Sequence, residues 1–339
     1  MKKVMKSLLI AVSVSLLIVG CSENQRNSGG VMMSNNDQVL TTTSTEGNDT
    51  KIEGSDIANA MLQGNYEVLY SQFNEEMKSI VSLQDFISLG EQFVTDVERF
   101  ELSSTMKENG QTNYVWIDAS NQKGIMAFVD EQHAIITGLQ ILPVTSYPET
   151  DELYSQTQFQ LPFTGEWLVY WGGKNVFLNY HYEYEHVRYA YDFIIVKDGY
   201  SYSGDPLNNE SYYAFGAEVL APADGEVIAV IDGIVDNIPG EMNESEPAGN
   251  MVLIQHDNGE VSMLAHFKQN SITVEVGDTV KEGQLLGLCG NSGNSSEAHI
   301  HFQVMKQAKD GSELVIPISF ADDGKEWVRG EQAKGQVKD

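Results

Sequence analysis

The chain has 339 residues, enough for two globular cores, and 41% of them are hydrophobic. Twenty Lys and Arg stand against 49 Asp and Glu, a net charge of −29 at pH 7. Such an acidic surface, with no basic cluster anywhere in the sequence, excludes nucleic acid as a partner and repels anionic headgroups; its ordinary use is solubility outside the cell.

The basic start "MKKVMK" and the apolar run "SLLIAVSVSLLIVG" have the pattern of a secretory signal, too short and wrongly flanked for a membrane span. The run ends Ile18-Val19-Gly20-Cys21, which resembles the lipobox of bacterial lipoproteins. That resemblance implies removal of residues 1–20 and acylation of Cys21, hence an exported protein anchored by lipid to the outer face of the cell membrane. Cys289 then has no partner, so the exported part relies on its cores or a metal rather than a disulfide. Residues 21–54 are rich in Ser, Asn, Thr and Gly without apolar periodicity and read as a flexible tether.

Order is expected from Ser55. Ile57, Met61, Leu62, Val68, Leu69 and Phe73 predict amphipathic helix broken near Gly64. Ser82, with Asp85 at the third helical position, predicts the start of a helix whose apolar face is Phe86, Leu89, Phe93 and Val97. The period then changes to two: 113–119, 124–130 and 134–142 read as strands. Helices followed by a meander predict a small α+β domain over 55–143. In pattern it resembles the cone-shaped nuclear-transport-factor-2-like domains, with helices on a curved sheet, which implies a binding or dimerisation module and a possible protein partner. Residues 144–160, with two prolines, read as a polar linker.

From 161 to 325 nearly everything reads as short strands and turns: 219–232, 250–267, 271–290 and 298–305. Asp257-Asn258-Gly259 between two alternating runs predicts a hairpin. Strands at this spacing predict a mostly antiparallel sheet or open barrel. The acidic stretch 232–249 reads as a surface loop, and 326–339 as a charged tail.

Seven histidines occur in the chain, and two of them stand two apart in "AHIHF", 298–302. On a strand such residues share a face, so His299 and His301 point together while Ile300 points to the core. His266 ends another alternating strand, with Leu264 on its own face and Met263 and Ala265 on the other. Asp192 abuts the aliphatic run 193–196, where a carboxylate requires a partner such as a metal. Neutral or anionic N and O ligands with a position left for water are the pattern of catalytic zinc. No His-Glu-x-x-His helix is present, so any such site is built on strands. His256, before the hairpin turn, and Cys289, inside an apolar strand, read as structural, and His133 as a turn residue.

Ala221-Pro222-Ala223-Asp224-Gly225, "LAHF" (264–267), "GDTVKEGQLLGLCGNSGNS" (277–295) and "AHIHF" occur in the order found in the lysostaphin-type (LytM-type) zinc metallopeptidases, and residues 161–306 resemble that family. The resemblance implies zinc, held by Asp192 and His301, with His266 and His299 catalytic, in an endopeptidase that hydrolyses peptide bonds of peptidoglycan during cell-wall remodelling. One departure stands out. The family's remaining metal histidine lies four residues before the aspartate, and that position here is Arg188. His181 and His186 are the candidates. "NYH" at 179–181 resembles a subgroup with a longer loop, which favours His181. Two alternatives to a peptidase are an inactive binding or regulatory module on the same fold and a lipoyl-type carrier barrel; the second lacks a lysine in an exposed hairpin turn.

Overall fold

The computed structural model describes residues 51–308, 311–322 and 324–336. The leader, Cys21 and most of the tether lie outside the described residues. Four short helices come first: α1 (Ile57–Leu62), α2 (Tyr66–Ser71), α3 (Glu75–Ile80) and α4 (Leu83–Val94). The break at Gly64 falls where this residue takes φ = +76°, a region glycine enters without strain. Ser82 caps α4: its hydroxyl accepts from the Asp85 amide at 3.2 Å and donates to the Asp85 carboxylate at 2.7 Å.

The chain then runs up and down through β1 (Phe100–Glu108), β2 (Gln111–Asp118), β3 (Lys123–Asp130) and β4 (Ile135–Pro143), an antiparallel sheet in that order. Alternation sorts its two faces. Trp116, Ile125, Ala127 and Val129 meet the helices through Ile57, Met61, Leu69 and Phe86. Val115, Ile117 and Met126 face the other way and pack on Phe177 and Leu178 of the second half of the chain. The sheet is thus covered on both sides. Strand β1 is not evident in the sequence because it is an edge strand whose inward residues have distant partners. Met106 packs on Leu168 and Ile194, and the Ser104 hydroxyl donates to the Arg329 carbonyl at 2.6 Å.

Residues 144–160, expected as a linker, are mostly exposed or half-buried, with Ser155 and Phe159 buried. They hold the helical turn α5 (Pro148–Asp151) and β5 (Gln158–Phe159). Asp151 accepts from the hydroxyls of Tyr182 and Tyr189, both at 2.9 Å, so polar side chains tie this segment down where apolar ones are few.

The remaining strands are β6 (Glu166–Trp171), β7 (Tyr191–Ile194), β8 (Glu218–Leu220), β9 (Gly225–Ile231), β10 (Asn250–Gln255), β11 (Val261–Phe267), β12 (Thr279–Val280), β13 (Leu285–Leu288), β14 (Ile300–Gln307), β15 (Glu313–Ile316), β16 (Ser319–Phe320) and β17 (Gln332–Lys334). Nine of them form one antiparallel sheet in the order β12-β9-β10-β11-β14-β7-β6-β17, with β15 beside β14. The expected hairpin joins β10 to β11. Pairs β8–β13 and β5–β16 cover the core of this sheet, where Phe163, Phe193, Leu264, Ile300 and Phe302 are fully buried. The expected charged tail belongs in part to this fold. Strand β17 pairs with β6, and Trp327 and Arg329 are buried. Arg329 is accommodated because Nε donates to Asn113 Oδ1 at 3.0 Å and the guanidinium lies 3.8 Å from the Trp171 ring. Among the described residues no helix is long and apolar enough to cross a membrane.

Candidate metal centre and active site

Strand β14 lies between β11 and β7, and its register sets the site. His301 is directly opposite Asp192 on β7 and opposite Ala265 on β11. Directly paired residues share a face, so Asp192 and His301 point together, away from the core into which Ile300 and Phe302 are packed.

His266 reaches the same place by a different device. Simple alternation puts it with Leu264, which pairs with Phe302 on the core face. However, Met251 pairs with Ala265 and Asn250 with Phe267, so His266 is the extra residue of a β-bulge. Its φ of +66° is left-handed, an uncommon conformation for a side-chain-bearing residue. The bulge turns the imidazole to the face of His301, correcting the face expected from alternation. The ring centroids of His266 lie 4.6 Å from those of His299 and 5.6 Å from those of His301.

His181 comes from the loop between β6 and β7, on a 3-10 turn (Tyr180–Glu183) capped by Asn179. Its Nε2 is 3.5 Å from Asp192 Oδ2, and its ring is 5.1 Å from that of His301. His181, Asp192 and His301 each offer a ligand atom within 4.8 Å of the other two. His299 Nε2 is 3.7 Å from Asp192 Oδ1. The structure therefore brings together His181, Asp192, His266, His299 and His301. It leaves His186 exposed, with its backbone carbonyl 3.4 Å from Gln303 Nε2.

The hydrogen-bond network assigns the tautomers. His181 Nδ1 donates to Asn179 Oδ1 (2.8 Å), His266 Nδ1 to the Ser292 carbonyl (2.8 Å), His299 Nδ1 to the Glu297 carbonyl (2.8 Å) and His301 Nε2 to Gln303 Oε1 (3.0 Å). Each neutral imidazole has one N–H, so four lone pairs remain on the other nitrogens. Three of these nitrogens face the Asp192 carboxylate, His301 Nδ1 at 3.0 Å from Oδ1. A pocket of acceptors aimed at one another is what a cation resolves. Two imidazoles and one carboxylate in this arrangement fit zinc with a position left open.

Burial pushes the titration of these groups in opposite directions. Burial alone raises the Asp192 carboxyl, but the surrounding His181, His299 and His301 outweigh it and hold the group below the usual carboxylate range. Burial takes His181 down to about 3, and it takes His266 well down, aided by His299 and His301. Burial also opposes protonation of His301, but the facing Asp192 carboxylate raises it overall. His181 and His266 are thus neutral at pH 7, the state in which an imidazole can bind a metal or take a proton.

Two loops flank the site. The Tyr180 ring lies 4.0 Å from that of His181, tilted by 35°, while Tyr180 is 39% exposed, and Trp171 lies edge-on to Tyr180. The loop at 232–249 is braced against the segment before His299: Asp236 accepts from the Asn291 amide at 2.7 Å, and the Asn237 amide donates to the carbonyls of Gly293 and Ser295. Ser292, Glu297 and Gln303 are partners of the histidines to which motif reading gives no role, whereas Asn179 belongs to the "NYH" match; an amide two residues after His301 was the only signal for Gln303. Cys289 is buried and its thiol is pushed well up, so it is not a nucleophile. His256 is bonded at both nitrogens, to the Asp224 carbonyl and the Ser262 hydroxyl, which leaves it nothing to offer a ligand.

Known proteins are similar to this chain over part of its length. Glycyl-glycine endopeptidase ALE-1 of Staphylococcus capitis is 30% identical over 125 residues, 37% of this chain and 33% of that protein. Peptidoglycan DD-endopeptidase ShyA of Vibrio cholerae is 32% identical over 107 residues, 31% and 23% of the two chains. An uncharacterized metalloprotease of Buchnera aphidicola is 29% identical over 105 residues, 31% of this chain and 26% of that protein. The chain thus spans about a quarter to a third of the length of these relatives. The solved structure of lysostaphin from Staphylococcus simulans aligns with a TM-score of 0.24 at 24% identity, over 37% of this chain and 40% of that one. Residues 212–312, which carry His266, His299 and His301 but neither His181 nor Asp192, match the model of peptidase family M23.

Proposed function

We propose that this protein is a zinc-dependent endopeptidase that hydrolyses peptide bonds in peptidoglycan, held at the outer face of the cell membrane through a lipidated Cys21. The observation that carries the reading is the convergence of His181, His299 and His301 on the Asp192 carboxylate, with the His266 ring beside those of His299 and His301. His181, Asp192 and His301 would hold the zinc, which supplies Lewis acidity toward a scissile carbonyl and a more acidic bound water. His266 and His299 do the remaining work. Each has its Nδ1–H committed to a backbone carbonyl, so each presents a bare Nε2 to the pocket. A neutral imidazole in that state takes a proton, and the resulting N–H donates to a developing oxyanion. The names of the relatives, a glycyl-glycine endopeptidase and a peptidoglycan DD-endopeptidase, support a wall peptide as substrate.

Digestion of purified peptidoglycan, followed by new amino groups released, tests the reading. The wild-type chain is expected to digest it, with loss on chelation, recovery with zinc, and loss in His299→Ala. A zinc-loaded wild type that binds but never cleaves wall peptides would establish the inactive binding module instead.

A further inference from the structure

The sheet of the N-terminal half is bonded, through residues 199–201, to the segment just before His299. Its β1–β2 turn consists of Asn109 and Gly110, with φ of +48° and +82°, a two-residue hairpin between Glu108 and Gln111. A solvent-facing tip needs no partner, yet this one is bonded to a loop of the other half. The Asn109 amide N–H donates to the Gly199 carbonyl at 2.6 Å. Its side-chain oxygen accepts from the Ser201 N–H at 3.1 Å, and its Nδ2 donates to Ser201 Oγ at 3.2 Å. Ser201, 2% exposed, passes the contact on: its hydroxyl donates to Glu297 Oε2 at 3.2 Å. Glu297 is buried, and its other carboxyl oxygen has no hydrogen-bond partner. The backbone carbonyl of this same residue accepts from His299 Nδ1 at 2.8 Å.

We propose that Asn109 and Ser201 are positioning residues for His299, so that the N-terminal sheet is a working part of the active site rather than a separate binding module. Directional hydrogen bonds run from the hairpin tip to the Glu297 carboxylate, and the backbone carbonyl of the same residue, which also accepts from Ser295 Oγ at 2.8 Å, fixes the imidazole tautomer. A second grip by the same sheet supports it. Phe177, fully buried against Val115, Ile117 and Met126, anchors the segment that continues through Asn179 to His181. Gly124 permits that approach, since a Cβ there would lie 2.2 Å from the Phe177 ring.

The kinetic half of the test rests on the peptidase reading; the spectroscopic half does not. The full chain, labelled with 15N-histidine and loaded with zinc, is compared with Asn109→Gly, which keeps the left-handed turn, and with Ser201→Ala. In the wild type His299 is expected as a single Nδ1–H tautomer. Both variants are expected to show a mixture of tautomers, with kcat on wall peptide down about tenfold, KM unchanged and zinc content unchanged. Thermal melts confirm that each variant is folded. A His299 signal and a kcat unchanged in both variants would overturn the proposal and leave the contacts as packing. A wild type without activity, whose His299 tautomer still shifts in the variants, would sink the peptidase reading while the positioning stands.

Discussion

The two large sheets among the described residues are both antiparallel, but they use their polar residues differently. The four-stranded sheet has one histidine, His133, exposed in a turn and bonded to Asp130 at 2.7 Å. The nine-stranded sheet and its loops bury His181, His256, His266 and His301 almost completely. Within that group the four-lone-pair site differs from His256, whose two nitrogens are both satisfied. Burial of a polar residue is therefore not the mark of chemistry. The mark is burial with an acceptor left pointing at other acceptors.

The largest expected effect breaks the division between the two sheets themselves. Phe177→Ala removes a fully buried ring from their junction and is expected to cost about 3–5 kcal/mol in denaturant unfolding. A cost below about 1 kcal/mol would mean the two sheets are not energetically joined.

Glu260 is a buried polar residue of the structural kind. It accepts from the amides of Gln156 and Thr157 at 2.7 and 2.9 Å and from the Asn258 side chain at 2.9 Å. Burial raises its carboxyl, but these donors outweigh it and hold the group below the usual range. A depressed folded pKa gives stability that is present above the unfolded value of about 4.3 and lost as pH falls through the folded one. Glu260→Gln is expected to cost about 1.5–3 kcal/mol at pH 7, with the gap to wild type closing below about pH 4. A gap that is independent of pH would contradict the carboxylate's role.

Smaller effects belong to the four-stranded half. Ser82→Ala, which deletes the α4 cap, is expected to cost about 1 kcal/mol. His133→Ala, at an exposed contact with Asp130, is expected to stay within about 0.5 kcal/mol of wild type; a larger loss would give the N-terminal histidine a role it lacks here.

Much of this was legible in the residues. His-x-His at period two, an aspartate against an aliphatic run and the Asp-Asn-Gly hairpin carry their own physical signatures. What was hidden has physical reasons. The face of His266 depends on a backbone bulge, which alternation does not show. The approach of His181 depends on the chain folding back through a 3-10 turn over the eleven residues to Asp192. Arg329 looks like part of a charged tail until Asn113 and Trp171, on elements far away in sequence, are seen around it. Strand β1 reads as polar because its contacts are to the other half of the molecule.

The central claim is that His181, Asp192 and His301 hold the metal. Zinc content of the full chain, measured by atomic emission for wild type, His181→Ala, His186→Ala and His301→Ala, tests it most directly. We predict about one zinc per chain in wild type and in His186→Ala, and loss in His181→Ala and His301→Ala. Zinc retained in His181→Ala, or absent from the wild type after reconstitution, would contradict the account.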